Sequence, residues 1–112
     1  MSDKNFQLRK LNQKLEAAKK IKDFEQMVFC YEKMFEITND YHFKQQVANI
    51  QYKIYNNIQK AAEIYEEVVP HLKNESYFWW QYFEIKANLH KTYDAVSCIY
   101  NAVKIEMKGM KK

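Results

Sequence analysis

Glycine and proline are nearly missing from this chain of 112 residues, with one of each, Gly109 and Pro70. So few leave little material for tight hairpin turns, and strict apolar–polar alternation is scarce, which argues against a sheet protein. A single glycine also excludes any glycine-rich loop able to cradle a phosphate. Arginine is confined to Arg9, and the two cysteines, Cys30 and Cys98, sit in apolar helical patterns without metal-ligand or redox spacing. They read as buried structural thiols. No apolar run approaches the roughly 18 residues of a membrane span, and no secretory leader is visible. An intracellular chain is expected, cytoplasmic by default, with a mitochondrial or nuclear setting left open.

What the chain does have is aromatic side chains: nine tyrosines, seven phenylalanines and two tryptophans. Their spacing, with that of the aliphatic residues, is helical. Apolar positions recur every three or four residues from Phe6 to about Lys20, from Phe24 to about Ile37, and in a third segment carrying Phe43, Val47, Ile50, Ile54 and Tyr55. A fourth runs from Ile58 to about His71, with Pro70 in its last turn. A fifth runs from Tyr77 to about Leu89 and a sixth from Thr92 to about Met107. Asp23, Asp40 and the stretch from Asn74 to Ser76 are placed to cap helices. The prediction is an all-α fold of six helices with connections of only a few residues, hence three antiparallel hairpins in one domain over 1–112.

The even-numbered helices repeat one another. CYEKM, IYEEV and IYNAV place Tyr31, Tyr65 and Tyr100 in register, 34 and then 35 residues apart. Four before each tyrosine stands Met27, Ala61 or Val96; seven before stands Phe24, Ile58 or Tyr93; three after stands Met34, Val68 or Val103. A period near 34 belongs to helix–turn–helix repeats, whose hairpins bury their apolar faces only by stacking. The chain resembles the tetratricopeptide repeat (TPR) superfamily, with repeats at about 5–38, 40–73 and 74–108. Leu11 and Trp80 (or Trp79) match the large residue of the first helix, Ala61 the small residue opening the second, and Phe24 and Tyr93 the aromatic closing the turn. The middle repeat departs, with Lys44 or Gln45 where the large residue belongs. AEIYEEVVP, WWQYFE and SCIYNAV are similar to the half-a-TPR (HAT) repeats of RNA-processing proteins. The resemblance implies a right-handed α–α superhelix and a binding role.

No catalytic constellation stands out. His42, His71 and His90 fall on different helices or turns, with no cysteine near them in sequence, and metal binding needs several convergent ligands. Glu66 and Glu67 are adjacent and so point in different directions around their helix. The expectation is a protein that is not an enzyme and uses no cofactor. In the TPR register the first helices line a concave groove with Arg9, Asn12, Glu16, Gln46, Ile50, Lys53, Gln81 and Asn88, open to an extended peptide or a partner helix.

The sixth helix adds a second expectation. With Tyr93, Val96, Tyr100 and Val103 turned inward, Ala95, Cys98, Ala102 and Ile105 form a further apolar stripe with nothing after it to cover it. That stripe is expected to dock on another chain, as a homodimer or in a larger complex. Charge is layered, +5 up to Lys22, −4 from Asp23 to Glu75 and +3 beyond. The leading functional expectation is a protein-binding scaffold or adaptor, an accessory subunit of a larger assembly. The alternative is an RNA-binding module that uses Lys10, Lys14, Lys19 and Lys20.

Overall fold

A computed structural model describes residues 2–89 and 91–110, and among these there are six helices and no strand. They are α1 (Ser2–Ile21), α2 (Phe24–Thr38), α3 (Tyr41–Lys53), α4 (Ile58–Leu72), α5 (Ser76–Asn88) and α6 (Thr92–Met110). The chain is all-α, as its periodicity predicts. His90, Lys111 and Lys112 lie outside the described residues, and α6 runs to Met110, past the end expected at about Met107.

Local signals account for the boundaries. The Asp23 carboxylate accepts from the Gln26 N–H, Asp40 from His42, and Asn57 from Lys60, so three helices start on side-chain caps. Asn39 ends α2 in the left-handed region, where asparagine is tolerated. After α1 the chain turns through Lys22 at φ 57°, and the Asp23 N–H donates back to the Ala18 carbonyl, closing the helix with a six-residue loop. Glu75 stands at the start of α5 but makes no capping bond, because its carboxylate is drawn away to His42. Ile54 and Tyr55, expected on the third helix, fall past the end of α3 and are exposed.

Helices pack mainly on their sequence neighbours: α1 on α2, α2 on α3, α3 on α4, α4 on α5 and α5 on α6. The radius of gyration is 15.7 Å, where a spherical domain of this length would have about 13 Å. Such elongation is what stacking in one direction produces. The core is accordingly in two parts. Leu15, Cys30, Tyr31, Met34, Val47 and Ile50 join α1, α2 and α3. Tyr65, Val68, Phe78, Tyr82 and Ile85 with Ala61 and Cys98 join α4, α5 and α6, and Ile64 packs against both clusters.

Tyr65 is the pivot of the second cluster. It is fully buried, with Phe78 at 5.2 Å and Tyr82 at 5.3 Å on the α5 side. Its hydroxyl donates to Asn49 Oδ1 (2.8 Å) and accepts from the buried Gln45 amide (3.2 Å), so the polar atoms carried into the core are satisfied. Burial pushes the Tyr65 hydroxyl pKa up, and the phenol stays neutral.

Candidate functional site

Of the expected groove residues, Arg9, Asn12, Glu16, Gln46, Lys53 and Asn88 are exposed and Gln81 is half-buried. Ile50 is not available: it is buried in the first core cluster, because its face of α3 is the one that packs on the preceding hairpin. Asn88 is already engaged, donating to the Tyr52 hydroxyl (2.7 Å) and the Glu84 carbonyl (2.8 Å). Three clefts of the structure are lined by other residues.

A cleft of about 560 Å³ opens between α2 and α4 with α3 as its floor. Tyr31, Phe35, Val47 and Ile64 supply apolar walls, while Glu32, Glu36, Glu67, Lys44 and Lys60 stand around them. Lys44 pairs with Glu67 and lies over the Phe35 ring at 4.8 Å, and Glu36 pairs with Lys33 at 3.7 Å. A second cleft, about 340 Å³, opens between α4 and α6 over α5. The two are the same feature one repeat apart. Lys44, Val47 and Gln51 of the first floor become Trp79, Tyr82 and Lys86 of the second; Glu32 and Phe35 become Glu66 and Val69; Lys60, Ile64 and Glu67 become Asp94, Cys98 and Asn101.

That equivalence corrects the alignment of the sixth helix. Between α4 and α6 the spacing is 34, not 35, since Lys60 corresponds to Asp94 and Ile64 to Cys98. Ala95 therefore stands in the column of Ala61 and Ala102 in that of Val68, and all four are buried. Tyr100 falls one residue late, in the exposed column of Glu66. The face expected to be open, Ala95, Cys98 and Ala102 with half-buried Ile105, is thus the packed one. Small side chains there let α6 lie close on α5. The face expected to turn inward is the open one: Tyr93 is 92% exposed, Tyr100 65%, Val96 56% and Met107 55%, with Val103 at 38%. A usable signal was present, because Ala95, not Val96, supplies the small residue that Ala61 supplies in the preceding repeat.

In the second cleft Lys86 lies between Glu66 (3.9 Å) and Asp94 (3.6 Å), tying α5 to both second helices. Tyr82 donates its hydroxyl to Glu66, and burial followed by that carboxylate raises the Tyr82 pKa far above the ordinary phenol. Cys98 borders the cleft with its thiol pushed up to about 11 by burial, only partly offset by Lys86. At neutral pH it is protonated and a poor nucleophile. Cys30 is likewise buried, unpaired and raised by burial.

His42 and His71 stand near helix ends. His42 Nδ1 meets Asp40 Oδ1 at 2.7 Å, and Nε2 meets Glu75 Oε2 at 2.8 Å, so the imidazole bridges the start of α3 to the start of α5. Both nitrogens face carboxylates, which favours the doubly protonated ring; the bonds it donates to Glu75 and then to Asp40 raise its pKa against a smaller burial penalty. His71 stacks on Tyr41 at 3.5 Å. Glu67 turns to Lys44 and Glu66 to Tyr82 and Lys86, the divergence expected of adjacent helical residues. Trp79 is half-buried and Trp80 more exposed; their indole N–H groups donate to the Lys73 carbonyl and to Glu106. Among the described residues no three histidine, cysteine or acidic side chains converge as a metal site, and no helix is long and apolar enough to cross a membrane.

In comparison with known proteins, no family model matches the chain and no curated protein is similar to it in sequence.

Proposed function

We propose that the chain is a non-enzymatic protein-interaction scaffold, an accessory subunit that takes a place in a larger assembly through its surface. We further propose that its three hairpins form a right-handed, TPR-like superhelix. The observation that carries this reading is the apolar face of α6, where five large side chains in helical register stand in solvent. A row of that kind is a docking feature rather than ordinary surface scatter. The two inter-hairpin clefts, lined by apolar and charged side chains together, supply further places for a peptide or helix.

The test is native purification of the tagged chain after ribonuclease treatment and a high-salt wash. A discrete set of proteins at fixed ratios, lost from a Tyr100→Glu chain, is the expected result. Absence of any stoichiometric protein overturns the reading.

One feature favours RNA as the second reading. Phe6 and Phe29 line a groove of about 390 Å³ between α1 and α2, beside Lys10, Lys14 and Lys33. Exposed aromatics among lysines suit stacking on a single strand. That reading requires RNA affinity that falls steeply with salt and with neutralisation of Lys10 and Lys14. No binding at low salt removes it.

A further inference from the structure

We propose that α6 pairs with α6 of a second copy of this chain, antiparallel, about a two-fold axis passing beside Tyr100. The inference rests on reading α6 as an interaction face, and it names the occupant.

Area comes first. Tyr93, Val96, Tyr100, Val103 and Met107 step by three and four residues, so they form one stripe about 21 Å long. From their exposures and the size of such side chains, the stripe offers roughly 600 Å². Two copies face to face would remove about 1,200 Å² in total, which reaches the lower bound of specific interfaces. Half that area would not.

The choice of partner follows from the rest of the surface. An open apolar groove at the other end of the chain, between α1 and α2, is rimmed by Lys10, Lys14 and Lys33, with Glu36 the one acid among them and paired with Lys33. The α6 stripe is rimmed by Lys104 and Lys108, both exposed. Head-to-tail docking would gather these five lysines around one apolar contact, an arrangement that like charge opposes. In the apolar cleft between α2 and α4, Glu36 and Glu67 are already paired with Lys33 and Lys44, whereas pairing of the same α6 face on two copies closes the assembly.

The stripe suits that pairing. Read in either direction its steps alternate, so an antiparallel partner sets Tyr93 against Met107, Val96 against Val103 and Tyr100 against Tyr100. Lys104 then comes beside Ser97 of the second copy, and Lys108 beside Tyr93, whose ring can accept a cation. The acids of α6 are already occupied within the protomer, Asp94 by Lys86 and Glu106 by the Trp80 indole, so pairing strands no carboxylate.

Sedimentation equilibrium of the purified full chain tests this directly. The expected mass rises toward twice 13.7 kDa as concentration passes through about 10–100 µM. Tyr100→Glu is expected to weaken self-association by more than about tenfold with unchanged helical circular dichroism, since that side chain lies outside both buried core clusters. Tyr100→Cys should cross-link between copies under mild oxidation, and Glu63→Cys, on the exposed side of α4, should not.

A monomer at about 200 µM, a dimer indifferent to Tyr100→Glu, or equal cross-linking of the two cysteine variants each overturns the proposal. If the chain is monomeric yet co-purifies with a fixed partner lost in Tyr100→Glu, self-pairing fails while the scaffold reading stands. If neither association occurs, both fail.

Discussion

Helices α4 and α6 are equivalent second helices one repeat apart, and they solve the same problem differently. α4 packs against both α3 and α5, and it fills that space with Tyr65, fully buried under Phe78 and Tyr82. α6 packs against α5 with Ala95, Cys98 and Ala102, and it leaves its large residues outside. In α4 the exposed columns hold Gln59, Glu66 and Lys73; in α6 the same columns hold Tyr93, Tyr100 and Met107. The difference teaches that a repeat column carries no fixed burial. What packs on the far side of the helix decides whether an aromatic residue is core or contact surface.

The largest effect that would sharpen this contrast is truncation of the two tyrosines. Tyr65→Ala should cost about 3–5 kcal/mol in urea denaturation, from lost burial and a cavity between two hairpins, while Tyr100→Ala should stay within about 0.5 kcal/mol. Similar losses for both would erase the distinction between the helices. A finer probe is the one-residue register of α6. Ala102→Leu should destabilise by about 1–3 kcal/mol through overpacking against α5, whereas Val103→Leu should be nearly neutral. The reverse order would restore the 35-residue alignment and break the comparison at its root. The smallest effect concerns the clamp that joins the second and third hairpins. Bonds donated to Glu75 and Asp40 raise the folded His42 pKa, so its stabilisation is complete below the unfolded value near 6.5 and is lost as pH rises through the folded one. The melting temperature should decline across that window by an amount worth less than about 1 kcal/mol, since the ring is half exposed. His42→Asn should flatten the decline.

Much of the architecture was legible in the residues. Apolar spacing located all six helices, and Asp23, Asp40 and Asn57 are short polar side chains whose oxygens can reach the free N–H groups of a first turn. The burial of Cys30 and Cys98 and the unequal exposure of Trp79 and Trp80 also follow from local pattern. The candidate site was less legible. Ile50 was expected in a groove and is core, because helical spacing marks a stripe as apolar without saying which neighbour it meets. In α6 two apolar stripes compete, one of small and one of large residues, and matching tyrosine to tyrosine selected the wrong one. An Ala102→Glu change, which would have probed docking on the expected register, would instead bury a charge in the α5 contact.

Local chemistry in the sequence thus determined the helices and the capped starts of α2, α3 and α4, since each depends on residues a few positions apart. Tertiary structure alone decided which stripe of each helix is covered, where the clefts open, and that His42 and Lys86 bridge hairpins. Those outcomes depend on partners tens of residues away and on volume: alanine and cysteine can lie against α5 where tyrosine cannot, and the helix turns its larger side chains outward.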